Sequence, residues 1–206
     1  MPILDFVTFE KELYKASCQA IDAIRKDSQN EHLYSFALVT TGLFGYIFPN
    51  ANTEEWLLKE AKQYLLKAQY HTFNGQIEMA VKYGRWEPTA YWRFFQKHYD
   101  CFEKVNSILE EVNIQDSLCK LPDVEFDVTT NKIEDIMLSV LNRLREDSFF
   151  GKDQEKFYVN ICYQDQTFED LHRCALRVNS AEVCDSMWND LSAVMNFGRS
   201  KKQKAG

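Results

Sequence analysis

Glycine and proline are scarce, with 7 and 4 in 206 residues. So few glycines leave little material for loops that cradle phosphate, and no P-loop, G-x-G-x-x-G or G-x-S-x-G pattern occurs. The zinc-protease pattern H-E-x-x-H is missing too. No apolar run nears the roughly 20 residues that span a bilayer, so no membrane partner is expected. Positive charge is in deficit: 24 Lys+Arg against 31 Asp+Glu give a net charge of −7. That argues against a general nucleic-acid binder, whose contact face must be basic. The six cysteines (Cys18, Cys101, Cys119, Cys162, Cys174 and Cys184) form no C-x-x-C pair. His32, His71, His98 and His172 are scattered. A zinc site needs clustered ligands, so no metal and no cofactor are expected. The first residues, Met1-Pro2-Ile3-Leu4-Asp5-Phe6, show neither the basic nor the apolar region of a signal peptide. The expected setting is a reducing cytoplasm with free thiols.

What is present is core-forming material: 45% apolar and 14% aromatic residues, enough for a packed domain. Phe6, Phe9, Leu13, Ala16, Ala20 and Ile24 recur at steps of three or four, which predicts an amphipathic helix over 6–26 capped by Asp5 or Thr8. Residues 33–40 are aromatic and β-branched, with Tyr34, Phe36 and Leu38 assigned to one face of a strand. Thr41-Gly42 predicts a turn and Leu43 to Phe48 the returning strand, ended by Pro49, which has no N–H for a ladder. Asn52 with Glu55 predicts a capping box for a helix to about residue 69. Ile77 to Tyr83 alternates and predicts a third strand closed by Gly84.

Phe95, Tyr99, Phe102, Val105, Leu109 and Val112 predict a further helix. Residues 113–130, with Pro122 and a run of acids, predict an exposed loop, and Asn131 with Glu134 a helix start beyond it. Gly151 closes that helical segment. Lys156 to Tyr163 is apolar on both faces, the mark of an interior strand. Thr167 and Ser180 each start a helix. The expected fold is α+β: a single domain over 1–197 with a small, mainly antiparallel sheet (hairpin 33–48 plus a strand near 156–163) and about six helices packed on it. Residues 198–206 are expected to form a basic, disordered tail.

For chemistry, Cys162 is a candidate nucleophile with His32 or His98 as base, although a strand-centre cysteine is more often buried and inert. Two segments look more specified than packing demands. Pro49 to Glu55 leads a strand end into a helix N-terminus, where amides favour anions or are simply capped. Arg85-Trp86-Glu87-Pro88-Thr89-Ala90-Tyr91-Trp92 reads either as a structural elbow or as a rim and anchor for a partner. The dense aromatic run over 86–102 reads first as core packing.

The order Tyr34-Ser35-Phe36-Ala37-Leu38, then Asn50-Ala51-Asn52-Thr53-Glu54-Glu55, then Arg85-Trp86-Glu87-Pro88 with Tyr91-Trp92, resembles the bacterial domain-of-unknown-function 4303 family. Phe102, Val105-Asn106 and Leu109 look like its middle helix, and Met137-Leu138, Leu141, Leu144, Phe150-Gly151 and Phe157-Tyr158-Val159 like its later helix, glycine and strand. The likeness covers roughly residues 9–191. Members often carry Trp-Ser-Pro where this chain has Trp86-Glu87-Pro88, so no catalytic serine is carried over. The resemblance implies no established activity and no catalytic set. Some members are similar in setting to immunity proteins that neutralise toxins, and an acid-rich surface suits a basic target.

The expected function is therefore a non-enzymatic binding module of immunity-protein type. It would occlude a toxin-like, basic protein partner through Asn52, Glu54, Glu55, Trp86, Glu87, Tyr91 and Trp92. The alternatives are an enzyme, which requires a pocket with two or more titratable groups of shifted pKa, and a structural or regulatory subunit docking through 86–102. No oligomeric state follows from the sequence.

Overall fold

A computed structural model describes residues 4–66, 73, 75–87, 91–164 and 166–204, with the side chains of 198–204 left out. The first helix, α1 (Phe6–Asp27), is capped by Asp5, whose carboxylate accepts from the Val7 and Thr8 amides at 3.1 and 3.3 Å. Its buried stripe, Phe9, Leu13, Ala16, Ala20, Ile21 and Ile24, has the expected helical steps.

Two strands follow, β1 (Leu33–Thr40) and β2 (Ile47–Thr53), paired antiparallel. The hairpin is present, but its turn spans 41–46 and the second strand runs through Pro49 instead of ending there. Pro49 opposite Leu38 is tolerated because β2 lies at the sheet edge, with no ladder on its outer side. The third strand, β3 (Tyr158–Tyr163), joins β1 in parallel with Ser35 opposite Tyr158 and Val39 opposite Cys162. The sheet order is β2-β1-β3, so β1 is central and β3 is an edge whose two faces are nonetheless covered.

Helices occupy both sides of this sheet. After β2 come α2 (Glu54–Leu66) and α3 (Ile77–Trp86). The strand expected over 77–83 is thus helical. Seven alternating residues fit either period, and Ile77, Ala80 and Val81 also make a helical stripe. Packing decides: α3 lies against α2 and the last helix, with Ala61, Tyr64, Phe73 and Val194 around it. A short 3-10 turn (Tyr99–Phe102) leads into α4 (Glu103–Glu111). The loop expected over 113–130 is instead α5 (Ile114–Cys119) and the first turns of α6 (Asp123–Glu146), with Pro122 just before α6 and Asn131 well inside it. The acids Asp123 and Glu125 sit in its first turn, where they complement the helix dipole. Val124 and Val128 there face solvent, so this stretch lacked the apolar stripe that would have marked a helix. Then come β3, α7 (Phe168–Ala175), capped by Thr167, and α8 (Ala181–Lys204). The residues read as a basic tail are, as far as Lys204, the end of α8. Residues 67–69 of the expected second helix, and Pro88, Thr89 and Ala90 of the expected elbow, lie outside the described residues.

Side chains alternate between two cores. Phe36, Leu38, Val159 and Ile161 face the cluster built on α1, α4 and α6. Ala37, Val39 and Tyr158 face Trp86, Trp92, Leu171, Met187 and Leu191. A side-chain amide blunts each outer sheet edge. Asn106 exchanges two hydrogen bonds with the Ile47 backbone at 2.7 and 2.9 Å, and Asn179 does the same with Val159 at 2.9 and 2.7 Å.

Candidate functional site

The last carbonyls of a helix have no intrahelical partner. At the end of α3, three of them are met by side chains from elsewhere in the chain. Trp92 Nε1 donates to Gly84 O at 2.8 Å, the Tyr34 hydroxyl to Arg85 O at 3.3 Å and the Tyr158 hydroxyl to Trp86 O at 2.9 Å. Tyr34 reaches this side because the β1–β2 register shifts between Leu33 and Ser35. Such a bulge re-aims a side chain, so Tyr34 meets Trp92 edge-on and does not share the face of Phe36 and Leu38. Behind the hydroxyls stand two buried amides. Asn52 donates to the Tyr34 hydroxyl (3.0 Å) and accepts from the Arg93 amide (3.2 Å), while Asn160 donates to the Tyr158 hydroxyl and to Leu171 O (both 2.9 Å). Burial pushes both phenols up, so both stay protonated donors. Arg85 closes the arrangement with a two-pronged pair to Glu54 at 2.6 and 2.7 Å.

These bonds locate the residues singled out in the sequence. Asn52, Trp86 and Trp92 are 1%, 6% and 2% exposed, and so belong to the interior. Asn52 does not cap α2. Thr53 does, accepting from the Trp56 amide at 3.3 Å. Glu54 holds Arg85. Glu55 is exposed, its carboxylate held low by its own backbone N–H and then by that of His32, which it meets at 2.8 Å. Tyr91 is 39% exposed on the α2 side. Glu87 alone of the seven lines the cleft described next.

That cleft, of about 430 Å³, opens at the carboxyl ends of the parallel pair β1 and β3. Strand ends of this kind are where open parallel sheets present ligand sites. Val39 and Thr40 end β1 on one side and Cys162 and Tyr163 end β3 on the other, with Phe168 and Leu171 of α7 above. Tyr46, Phe48 and Phe95 make an aromatic wall: Tyr46 stacks on Phe48 at 5.8 Å, and Phe95 meets Phe48 edge-on at 5.3 Å. Two parts of the lining come from either side of residues 88–90: Glu87 just after α3, and Phe95 with Gln96 just after Trp92.

Burial displaces three titratable groups of the cleft upward: Glu87, Cys162 and Tyr163. Burial pushes the Glu87 carboxyl up, against a hydrogen bond from Tyr83 that lowers it. Glu87 Oε2 is buried and has no hydrogen-bond partner among the described residues. Burial also pushes the Cys162 thiol up to about 12. Cys162 is therefore a protonated thiol at neutral pH and not a ready nucleophile. Neither histidine considered as its base lines the cleft, and His98 Nε2 lies 3.0 Å from Asp27. Val39, Phe95, Gln96, Gln164, Gln166 and Phe168 were not singled out in the sequence. The available signal was weak: a strand end at Tyr163 followed by Gln164 and Gln166. Among the described residues no group of three or more His, Cys, Asp or Glu could hold a metal, and no helix is long and apolar enough to cross a membrane.

A family model described as Domain of unknown function (DUF4303) matches residues 13–180. The chain belongs to this family. The DUF4303 match takes in all three strands, the α3 terminus and every described lining residue of the cleft, from Val39 to Leu171. It ends at Ser180, immediately before α8. No curated protein and no solved structure matches the chain.

Proposed function

We propose that this DUF4303 chain is a binding module whose ligand seats in the cleft at the ends of β1 and β3. One observation carries the proposal. A buried carboxylate oxygen without a partner, on Glu87, borders a cleft of about 430 Å³ walled by aromatic rings and amides. An unmet buried acceptor costs free energy that a ligand donor recovers, and the volume lies in the range of small-molecule sites. The test is amide-shift NMR of the full chain with a fragment library, repeated on Gln164→Trp, which fills the cleft from its exposed rim. Shifts gathering on Val39, Phe95 and Cys162, and lost in the variant, are expected. Shifts elsewhere, or unchanged by the indole, would refute the site.

Occlusion of a basic, toxin-like protein in the manner of an immunity protein is a second role. Exposed Glu55 and Tyr91, together with the net charge of −7, favour it. Its partner would touch Glu55 and Tyr91, because Asn52, Trp86 and Trp92 are interior. Charge reversal at Glu55 is its test.

A further inference from the structure

The cleft has a one-sided chemistry. Among the described lining residues the single carboxyl is Glu87, the other polar groups are neutral (the amides of Gln96, Gln164 and Gln166, two threonines, the Tyr46 and Tyr163 hydroxyls and the Cys162 thiol), and one wall is aromatic. No Lys, Arg or His is among the described residues that line it. Arg173 donates to the hydroxyl of the lining residue Tyr163 at 3.2 Å, but both oxygens of Glu134 already hold its guanidinium at 2.6 and 2.9 Å. Among the described residues that line the cleft, none offers Glu87 a counter-charge.

An anion entering here would meet Glu87 as a like charge. A neutral apolar ligand would leave the second carboxylate oxygen, Oε2, without a donor. A cation repairs that deficit, and its weakly solvated flank finds the negative faces of Tyr46, Phe48 and Phe95. We propose that the ligand of the cleft is an organic cation, an ammonium or guanidinium on an apolar stem, with Glu87 as its counter-charge and the Tyr46–Phe48–Phe95 wall against its stem. The proposal rests on the cleft being the binding site.

The experiment titrates the full chain with 2-phenylethylammonium, neutral 2-phenylethanol and anionic phenylacetate, read by calorimetry and by amide shifts of Val39, Phe95 and Cys162. The ammonium binds the cleft at least about tenfold tighter than the alcohol, and phenylacetate does not bind. Glu87→Gln abolishes the ammonium preference and leaves the alcohol unchanged. Phe95→Leu keeps Glu87 in place and lowers ammonium affinity several-fold, so the test survives a misfolded Glu87 variant. Blocked lysine and arginine amides separate the sources of the cation. Binding as tight as that of the free amine assigns it to a basic side chain of another protein, and exclusion assigns it to a free amine. Equal binding of ammonium and alcohol in the cleft, or a preference retained in Glu87→Gln, overturns the cation while leaving the cleft a site. Silence of the cleft amides toward all probes overturns both.

Discussion

A carboxyl mostly out of water and short of partners gives up its proton late, and Glu87 is such a group. Its pKa in the folded chain lies above the ordinary 4.5, so the native state holds this proton more tightly than the unfolded state does. The stability it contributes is complete below pH 4.5 and is lost as pH rises through the folded value. Glu87→Gln cannot ionise. Its unfolding free energy should equal that of the parent near pH 4 and exceed it by about 1 kcal/mol near neutrality, the low end for an unmet buried polar group. Urea titrations at the two pH values measure this, and a gap that is constant with pH would show that Glu87 is not desolvated. Glu87 was among the residues singled out in the sequence, but its reason was not visible there. Nothing local to Trp86-Glu87-Pro88 says that a carboxyl will face Cys162 across the end of a strand 75 residues further on.

At the scale of elements, the end of α3 shows how strands and a helix are fastened together. Tyr158→Phe removes one hydroxyl that donates to Trp86 O and accepts from Asn160. The stranded carbonyl is buried, so the variant should lose about 1–3 kcal/mol, read as a shift in the urea midpoint at unchanged m-value. A loss under about 0.5 kcal/mol would mean that the carbonyl finds water. Elements were legible where one period held over many residues: α1, from Phe9 to Ile24, and the paired core of α8, from Val183 to Leu191. They were illegible where two periods fitted equally, as at Ile77–Tyr83, or where a helix meets the core through a lone apolar side chain, as Phe126 does at 123–132. Pro49 misled for a further reason. The cost of a proline depends on whether its strand is central or at an edge, which is a property of the sheet and not of the residue.

For the whole molecule, the surplus of acid over base governs encounters at a distance more than contacts on arrival. Glu55 is the clean probe of this effect. It is exposed and its carboxylate meets backbone amides, its own and that of His32, whereas Glu54 holds Arg85 and its reversal would disturb the α3 end. If a basic protein docks on this face, Glu55→Lys should lower its association rate several-fold at low ionic strength, with the difference closing near 0.5 M salt as screening sets in. Stopped-flow association with a basic probe protein measures this, and equal rates at low salt would exclude the face. The α+β class was legible because the extended patterns at 33–40 and 156–163 need one another. Their parallel register was not, because sequence separation alone leaves direction open.

The central position of β1 also dictates an order of events at birth. Its first neighbour, β2, leaves the ribosome within a few residues of it, but its second, β3, begins 118 residues after β1 ends. Until then one flank of β1 offers bare amides and carbonyls, the configuration that invites wrong strand pairing. Half the cleft therefore exists only after most of the chain has been made. A nascent fragment stopped anywhere before Tyr158 lacks the β3 side of the ligand site and has an open sheet edge to conceal.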